Sequence, residues 1–206
     1  MDDLFPLKRN QVEPAAKVLA RAFENDPLHI AYFPDPNIRV KQNYHLMKFS
    51  IRYCMRFGEV YTTSPKLEGI ALWRLEDPKE EEKEKPRSLF ANWLSFRLEL
   101  ALGEVLEKVS TIFEYIFSTH YELMPSPHLY FFILGVDPNF QGKGYASKLI
   151  RPMLARIGED QLKCYLDTNN ENNVGLYQHF GFKILKKYQI PRTNVINWSM
   201  LKENPK

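Results

Sequence analysis

Between Asp137 and Ala146 the sequence reads DPNFQGKGYA, with a greasy run, LYFFILGV, before it and an amphipathic run, SKLIRPMLARI, behind it. Strand, glycines, then helix is an arrangement with a definite chemistry. It points several unpaired backbone N–H groups in one direction, and the helix dipole adds partial positive charge at the same place. Glycine lets a ligand reach that backbone with no Cβ in the way. The ligand such a turn suits is a phosphate.

Three phosphate motifs compete for the stretch. A P-loop needs GxxxxGK followed by Ser or Thr. Here six residues part Gly135 from Gly142, and Gly144 follows Lys143, so the pattern fails twice. The dinucleotide fingerprint GxGxxG needs a third glycine where this chain has Ser147. The third pattern, Gln/Arg-x-x-Gly-x-Gly/Ala, is filled by Gln141, Gly144 and Ala146. It resembles the acyl-CoA pyrophosphate loop of the GNAT superfamily of N-acetyltransferases. The resemblance continues in YLDTNNENNVGLYQHFGFKIL, where Asn173, Tyr177, Gly181 and Phe182 match, and in the closing NWSM. Upstream, LARAFENDP and YFPDP look like the first helix and substrate loop of one branch of the family.

The resemblance implies a single acyl-CoA N-acyltransferase domain over 1–206 with a helical insert at about 87–120. The implied fold is α/β (α+β): a central mixed, mostly antiparallel sheet of six to seven strands, splayed at the middle and flanked by helices. The implied reaction is direct transfer of an acetyl group from acetyl-CoA, as cosubstrate, to a primary amine of a small molecule, with no metal. Acetylation of a protein or peptide, and a non-catalytic acyl-CoA sensor, are the other readings.

Acyl transfer from a thioester to an amine needs a held donor, an uncharged nucleophile, a stabilised oxyanion and a protonated leaving thiolate. By resemblance, the pantetheine arm pairs with the backbone at Leu134 and Val136, and a backbone N–H near Val136 receives the oxyanion. The N–H groups from Gln141 through Gly142, Lys143, Gly144 and Tyr145 to Ala146 hold the pyrophosphate. Gly135 is either a bulge or close-approach point, or a packing glycine. Asn173 either contacts the cofactor arm or caps its helix. Tyr177 matches the family's proton donor to the leaving sulfur; the alternative is a buried tyrosine with a bonded hydroxyl. For the general base, Asp26, Glu68, Asp167, His128 and His179 are candidates, Asp167 standing where similar sequences often carry Glu. Asp26 and Asp35 are candidates to hold the amine's positive charge. Tyr32, Phe33, Phe90, Trp93, Phe96, Phe113 and Tyr115 divide between core packing and the walls of a pocket for a partly apolar amine.

The elements that must position these residues follow from periodicity. Residues 11–23 repeat Ala15, Val18, Leu19, Ala22 and Phe23 at helical spacing, with Pro14 in the first turn, and Pro27 ends the helix by NDP. A second helix is predicted over 38–56. EVYTT and GIALWRL read as strands joined by SPKLEG, and EDPKEEEKEKP as a solvated charged run. Residues 87–118 predict two helices broken near Gly103. LYFFILGV and LKCYLDT are buried strands, and Pro152 predicts a kink in the helix between them. NVGLYQHF is a short helix ended by Gly181, and FKILKKYQI and NVINWSM close the sheet.

Composition narrows the classes. With 44% hydrophobic residues and 25 Phe or Tyr, the chain can bury one large core. A net charge of +3 is too small an excess to argue for nucleic acid. Cys54 and Cys164 make neither metal spacing nor a disulfide framework and read as free thiols in a reducing cytosol. No signal peptide or membrane span is expected. The expectation is a cytoplasmic monomer or homodimer.

Overall fold

The computed structural model describes residues 4–78, 103–160 and 162–203. The chain opens with a two-residue strand β1 (Phe5–Pro6), then α1 (Val12–Ala22), α2 (Pro27–Tyr32), α3 (Pro36–Phe57), β2 (Glu59–Thr62) and β3 (Gly69–Glu76). It resumes with α4 (Gly103–Leu123), β4 (His128–Val136), α5 (Tyr145–Asp160), β5 (Lys163–Thr168), α6 (Glu171–His179), β6 (Lys183–Gln189) and β7 (Ile196–Lys202). The seven strands form one sheet in the order β1-β2-β3-β4-β5-β7-β6. Every neighbouring pair is antiparallel except β4 with β5. This is the mixed, mostly antiparallel sheet that the resemblance implies.

Two features were not foreseen. β1 extends the sheet by pairing Phe5 with Thr62. The loop expected after α1 contains a helix of its own, α2. Asp26 caps it, Oδ1 accepting from the N–H groups of Leu28 (2.9 Å) and His29 (3.4 Å), and Pro27 occupies the first turn. A proline that stops one helix also suits the first position of the next, where its missing N–H costs nothing. The same Asp-Pro pair recurs at Asp35–Pro36, where Asp35 accepts from the Asn37 N–H (2.9 Å) and starts α3.

Strand alternation divides the core. Ala71 and Trp73 of β3 pack with Leu149, Ile150, Met153 and Ile157 of α5 on one face of the sheet. Ile70 and Leu72 pack with α1 and α3 on the other. α5 continues through Pro152. Gly181, at φ +87°, ends α6 in the left-handed conformation that glycine adopts without strain. The charged run beyond residue 78 and the first helix predicted in 87–118, with Phe90, Trp93 and Phe96, lie outside the described residues; the second helix is α4.

The pairing of β4 sets the site. β4 lies against β3 along its whole length, from Gly69↔Val136 to Glu76↔His128, with an irregularity at Phe132. Against β5 it pairs only at His128↔Lys163, Leu129↔Cys164 and Tyr130↔Tyr165. Beyond Tyr130 the two parallel strands part, and β5 follows β7 instead. The sheet is therefore splayed at its middle, with a gap between Phe131–Val136 and Leu166–Thr168.

Candidate active site

Strand alternation tells which backbone groups face the gap. The Asp137 N–H donates to the Glu68 carbonyl on the β3 side (2.9 Å), so Gly135 and Ile133 turn the same way and Leu134 and Val136 turn away from β3. The Val136 carbonyl confirms this direction by accepting from the Gln141 side chain (3.2 Å). The Gln141 side chain thereby closes over one of the groups expected to receive the cofactor arm. Gly135 is a packing glycine. A Cβ there would sit 2.4 Å from the Leu19 side chain and 3.2 Å from Phe23, so α1 lies on bare backbone. The strand's irregularity falls at Phe132 instead.

The turn after β4 is built by Asp137. Its Oδ1 accepts from the backbone and side chain of Asn139 (3.0 and 3.1 Å), and Oδ2 is paired with Arg21 of α1. Burial alone would raise this carboxyl; Arg21 and the Asn139 donors outweigh it and hold it below the usual range. Gly142 (φ +74°) and Gly144 (φ +80°) then put the chain in the left-handed region, with open space where each Cβ would be. No N–H from Gln141 to Ala146 is bonded among the described residues. Lys143 lies exposed, bonded to the Asn139 carbonyl (3.0 Å) and set over the Phe140 ring. Alternating backbone conformations that converge free N–H groups make an anion nest, and the open space above both glycines fits a pyrophosphate.

Inside the gap lies a cleft of about 120 Å³. β4 contributes Leu134, α6 contributes Asn173 and Tyr177, and β5 contributes Asp167. Tyr177 is 8% exposed, its ring edge-on to Phe131 and Phe182. Burial, then the charge of Asp26, raises its hydroxyl above the usual tyrosine value, so it stays protonated. Among the described residues no hydrogen bond of that hydroxyl is found. The helix cap is Asn170, which accepts from the Asn172 N–H (3.1 Å), leaving the Asn173 side chain to the cleft.

Asp167 stands at the cleft floor in a polar cradle that the sequence reading missed. Oδ1 accepts from Asn197 (2.6 Å), Ser199 (2.8 Å) and the Tyr165 hydroxyl (3.0 Å), and Oδ2 lies 3.5 Å from the Tyr130 hydroxyl. Asn197 is itself held by Asn169 (2.9 Å) and Tyr188 (2.9 Å). Burial lifts the Asp167 carboxyl and the donors pull it back, leaving it at about 6. The signal was present in the sequence: Asn197 and Ser199 alternate on one face of an otherwise apolar strand, as a buried polar partner set must.

The remaining candidates separate cleanly. Asp26 lines the cleft; Asp35 is exposed and serves only as a cap. Glu68 accepts from the Thr63 and Ser64 hydroxyls (2.9 and 2.6 Å) and locks the β2–β3 turn. His128 faces His120, Nε2 to Nε2 at 2.6 Å, at the far end of β4, and burial pushes the His120 imidazole down to about 2. His179 is exposed at the end of α6. Neither histidine nor Glu68 lines the cleft. Of the aromatics, Tyr32 and Phe113 line it, joined by Phe23, Phe117 and Phe132; Phe33 is core and Tyr115 packs on Tyr188.

A sheet splayed between two parallel strands, with a glycine turn of open amides at one rim and a tyrosine in the gap, is the arrangement that the resemblance to acyl-CoA N-acyltransferases implies. Residues 67–182 match the family model described as acetyltransferase (GNAT) family. The chain belongs to that family. A 65-residue segment is 35% identical to an uncharacterized N-acetyltransferase of Schizosaccharomyces pombe, covering 32% of this chain and 26% of that relative. Among solved structures, the chain resembles "histone acetyltransferase HPA2 and related acetyltransferase" from Corynebacterium glutamicum at TM-score 0.68 and 20% identity, over 98% and 96% of the two chains. It also resembles arylalkylamine N-acetyltransferase 2 from Aedes aegypti at 0.66 and 13%, over 98% of each. At these identities the structural likenesses speak to fold. Both cysteines are buried and unbonded, no metal-binding cluster occurs among the described residues, and no described helix is long and apolar enough to cross a membrane.

Proposed function

We propose that the protein transfers an acetyl group from acetyl-CoA to the primary amine of a small molecule. The observation that carries this reading is the Tyr177 hydroxyl, unpartnered among the described residues, in the same cleft as Leu134 and Asp167, directly along β4 from the open amides of 141–146. Acetyl-CoA supplies an activated acyl carbon and a thiolate leaving group. The nest at Gln141–Ala146 binds its pyrophosphate, and the gap-facing backbone of Leu134 and Val136 aligns its arm once Gln141 swings off the Val136 carbonyl. The Val136 N–H lies where charge on the acyl oxygen is to be met.

Asp167 accepts the proton that the amine loses as its nitrogen bonds to carbon. Tyr177 gives its proton to the sulfur as the carbon–sulfur bond breaks, and solvent restores both groups. A carboxyl near 6 is largely ionised at neutral pH yet basic enough to serve. An ammonium entering the same dry cleft loses some of its affinity for its proton, which brings donor and acceptor closer. A small acceptor is favoured over a protein because α2, α3 and α4 wall the cleft opposite the gap.

Thiol release from acetyl-CoA over a panel of amines tests the reading. Release that depends on amine is expected. Tight acetyl-CoA binding with no release for any amine would leave a binding module and end the enzymatic reading.

A further inference from the structure

A primary amine that arrives as an ammonium and leaves as an amide sheds two protons from its nitrogen in each turnover. One leaves before attack, because a protonated nitrogen has no electron pair to give. The other leaves as the bond to carbon forms, and Asp167 takes that one in the mechanism above. The first proton still needs an acceptor.

The α2 wall of the cleft holds a nitrogen base placed for it. His29 is 6% exposed and lines the cleft. Its Nδ1 lies 2.8 Å from Oδ1 of Asn43 on α3. Nδ2 of Asn43 faces the Ala20 carbonyl (3.5 Å), which turns Oδ1 toward the ring. An amide oxygen only accepts, so Nδ1 carries the proton and Nε2 carries the lone pair. Nε2 stands on the ring edge away from Asn43. Among the described residues it has no hydrogen-bond partner, and unlike the Tyr32 hydroxyl it is not sealed from solvent. The opening beside His29 is the cleft.

The ring is held in place. Phe23 packs against it at 4.8 Å between centroids, and Tyr32 meets it edge-on at 5.7 Å. The ionisable groups that share the cleft are Asp26 and Tyr32 from α2, Tyr130 from β4, Asp167 from β5 and Tyr177 from α6. Among the described lining residues α1, α3 and α4 bring none, and no Lys or Arg is present. Burial lowers the His29 imidazole, and the Asp26 charge and the Asn43 bond offset part of that. The ring is therefore neutral at neutral pH, the form that accepts a proton. Asp26 spends Oδ1 on the N–H groups of Leu28 and His29, and its charge favours the imidazolium once that forms.

We propose that His29 is a catalytic residue that takes the first proton: Nε2 accepts it from the ammonium, Asn43 holds the ring in the accepting tautomer, and the freed amine attacks the acyl carbon. This rests on the acetyl-transfer reading. Over one turnover His29 and Asp167 each gain a proton from the nitrogen and Tyr177 gives one to the sulfur. Resetting the three groups releases one net proton to solvent, as the overall reaction of an ammonium with a thioester requires.

The test measures thiol release by the full chain with ethanolamine, propylamine, benzylamine and putrescine between about pH 6 and about pH 9.5, beside calorimetric binding of acetyl-CoA. In His29→Gln and in His29→Phe, which keeps the ring packing, kcat/KM for the amines that the wild type uses is expected to fall about a hundredfold at neutral pH. Acetyl-CoA affinity is expected to be unchanged. The deficit should shrink by roughly tenfold or more at the alkaline end, where far more of the amine arrives already neutral. Asp167→Asn should keep its deficit there, because its proton leaves only as the bond to carbon forms. Asn43→Asp leaves His29 in place and sets a carboxylate on Nδ1, so the acid limb of kcat/KM should move up by about one pH unit or more. Undiminished kcat/KM in the His29 variants, a deficit equal at both ends of the pH range, or an unmoved limb in Asn43→Asp would overturn the inference while acetyl transfer stands. Silence of the wild type toward every amine sinks the transfer reading itself, and this inference with it.

Discussion

Tyr177 and Asp167 occupy one cleft but are set up in opposite ways. Tyr177 has packing around its ring and, among the described residues, nothing bonded to its hydroxyl, the condition of a group waiting for a partner. Tyr177→Phe is expected to lower kcat by roughly a hundredfold or more, the scale of general-acid catalysis, with acetyl-CoA affinity nearly unchanged; steady-state kinetics beside calorimetry separates the two. Asp167 is held by several donors and stays near 6. In the proposed mechanism its ionised form is the base, so kcat/KM is expected to fall as pH drops through about 6. Ser199→Ala removes a donor that favours the charged form, and the acid limb should move up by about one pH unit. An unmoved limb would take Asp167 out of the proton path. Tyr177 was legible in the sequence through its spacing from the glycine turn. Of the Asp167 cradle only the alternation of Asn197 and Ser199 was legible; that they meet Tyr165 and Asp167 follows from the antiparallel pairing of β5 with β7, as Asp167↔Ser199 records.

The two kinds of glycine along β4 and its turn show why element identity alone does not assign a role. Gly135 and Gly144 lie nine residues apart in one motif. Gly135 meets α1, whereas Gly144 faces open space at φ +80°. Gly135→Ala should destabilise the fold by about 1–3 kcal/mol through overpacking against Leu19, read as a lowered melting temperature. Gly144→Ala should cost about 1–2 kcal/mol of backbone strain and additionally weaken CoA binding, an effect Gly135→Ala shares only through lost fold. Arg21 and Asp137 tie α1 to the entrance of the turn. Because the Asp137 carboxyl is held below its usual range, its contribution is present at neutral pH and lost as pH falls through the ordinary carboxylate range and below. Arg21→Ala should therefore narrow the difference in melting temperature between pH 7 and pH 3. Sequence reading found the strand, turn and helix, since hydrophobic period and glycine spacing are local. It missed α2, whose six residues are too few to show a period and whose start is marked only by Asp26–Pro27.

At the scale of the molecule, the seven-stranded sheet arises from strands that each declared themselves by alternation or by a continuous apolar run, apart from β1, which is two residues long. The order β5-β7-β6 was beyond periodicity; it follows from how β6 and β7 close back on β5. The splay is a consequence of topology as much as of sequence: β4 stays with β3, β5 stays with β7, and the parallel pair between them is held at one end only. An arm bound in that gap joins the two halves of the sheet. Acetyl-CoA at a hundred times its dissociation constant should add about 2.7 kcal/mol, which for a chain of this size raises the melting temperature by roughly 5–10 °C.

The most direct test is a crystal structure of the protein with coenzyme A. The account predicts pyrophosphate oxygens within hydrogen-bonding distance of the N–H groups between Gln141 and Ala146, the arm paired with Leu134 and Val136, and the sulfur beside the Tyr177 hydroxyl. A nucleotide bound elsewhere, with the gap between β4 and β5 closed or filled by the protein's own side chains, would contradict it.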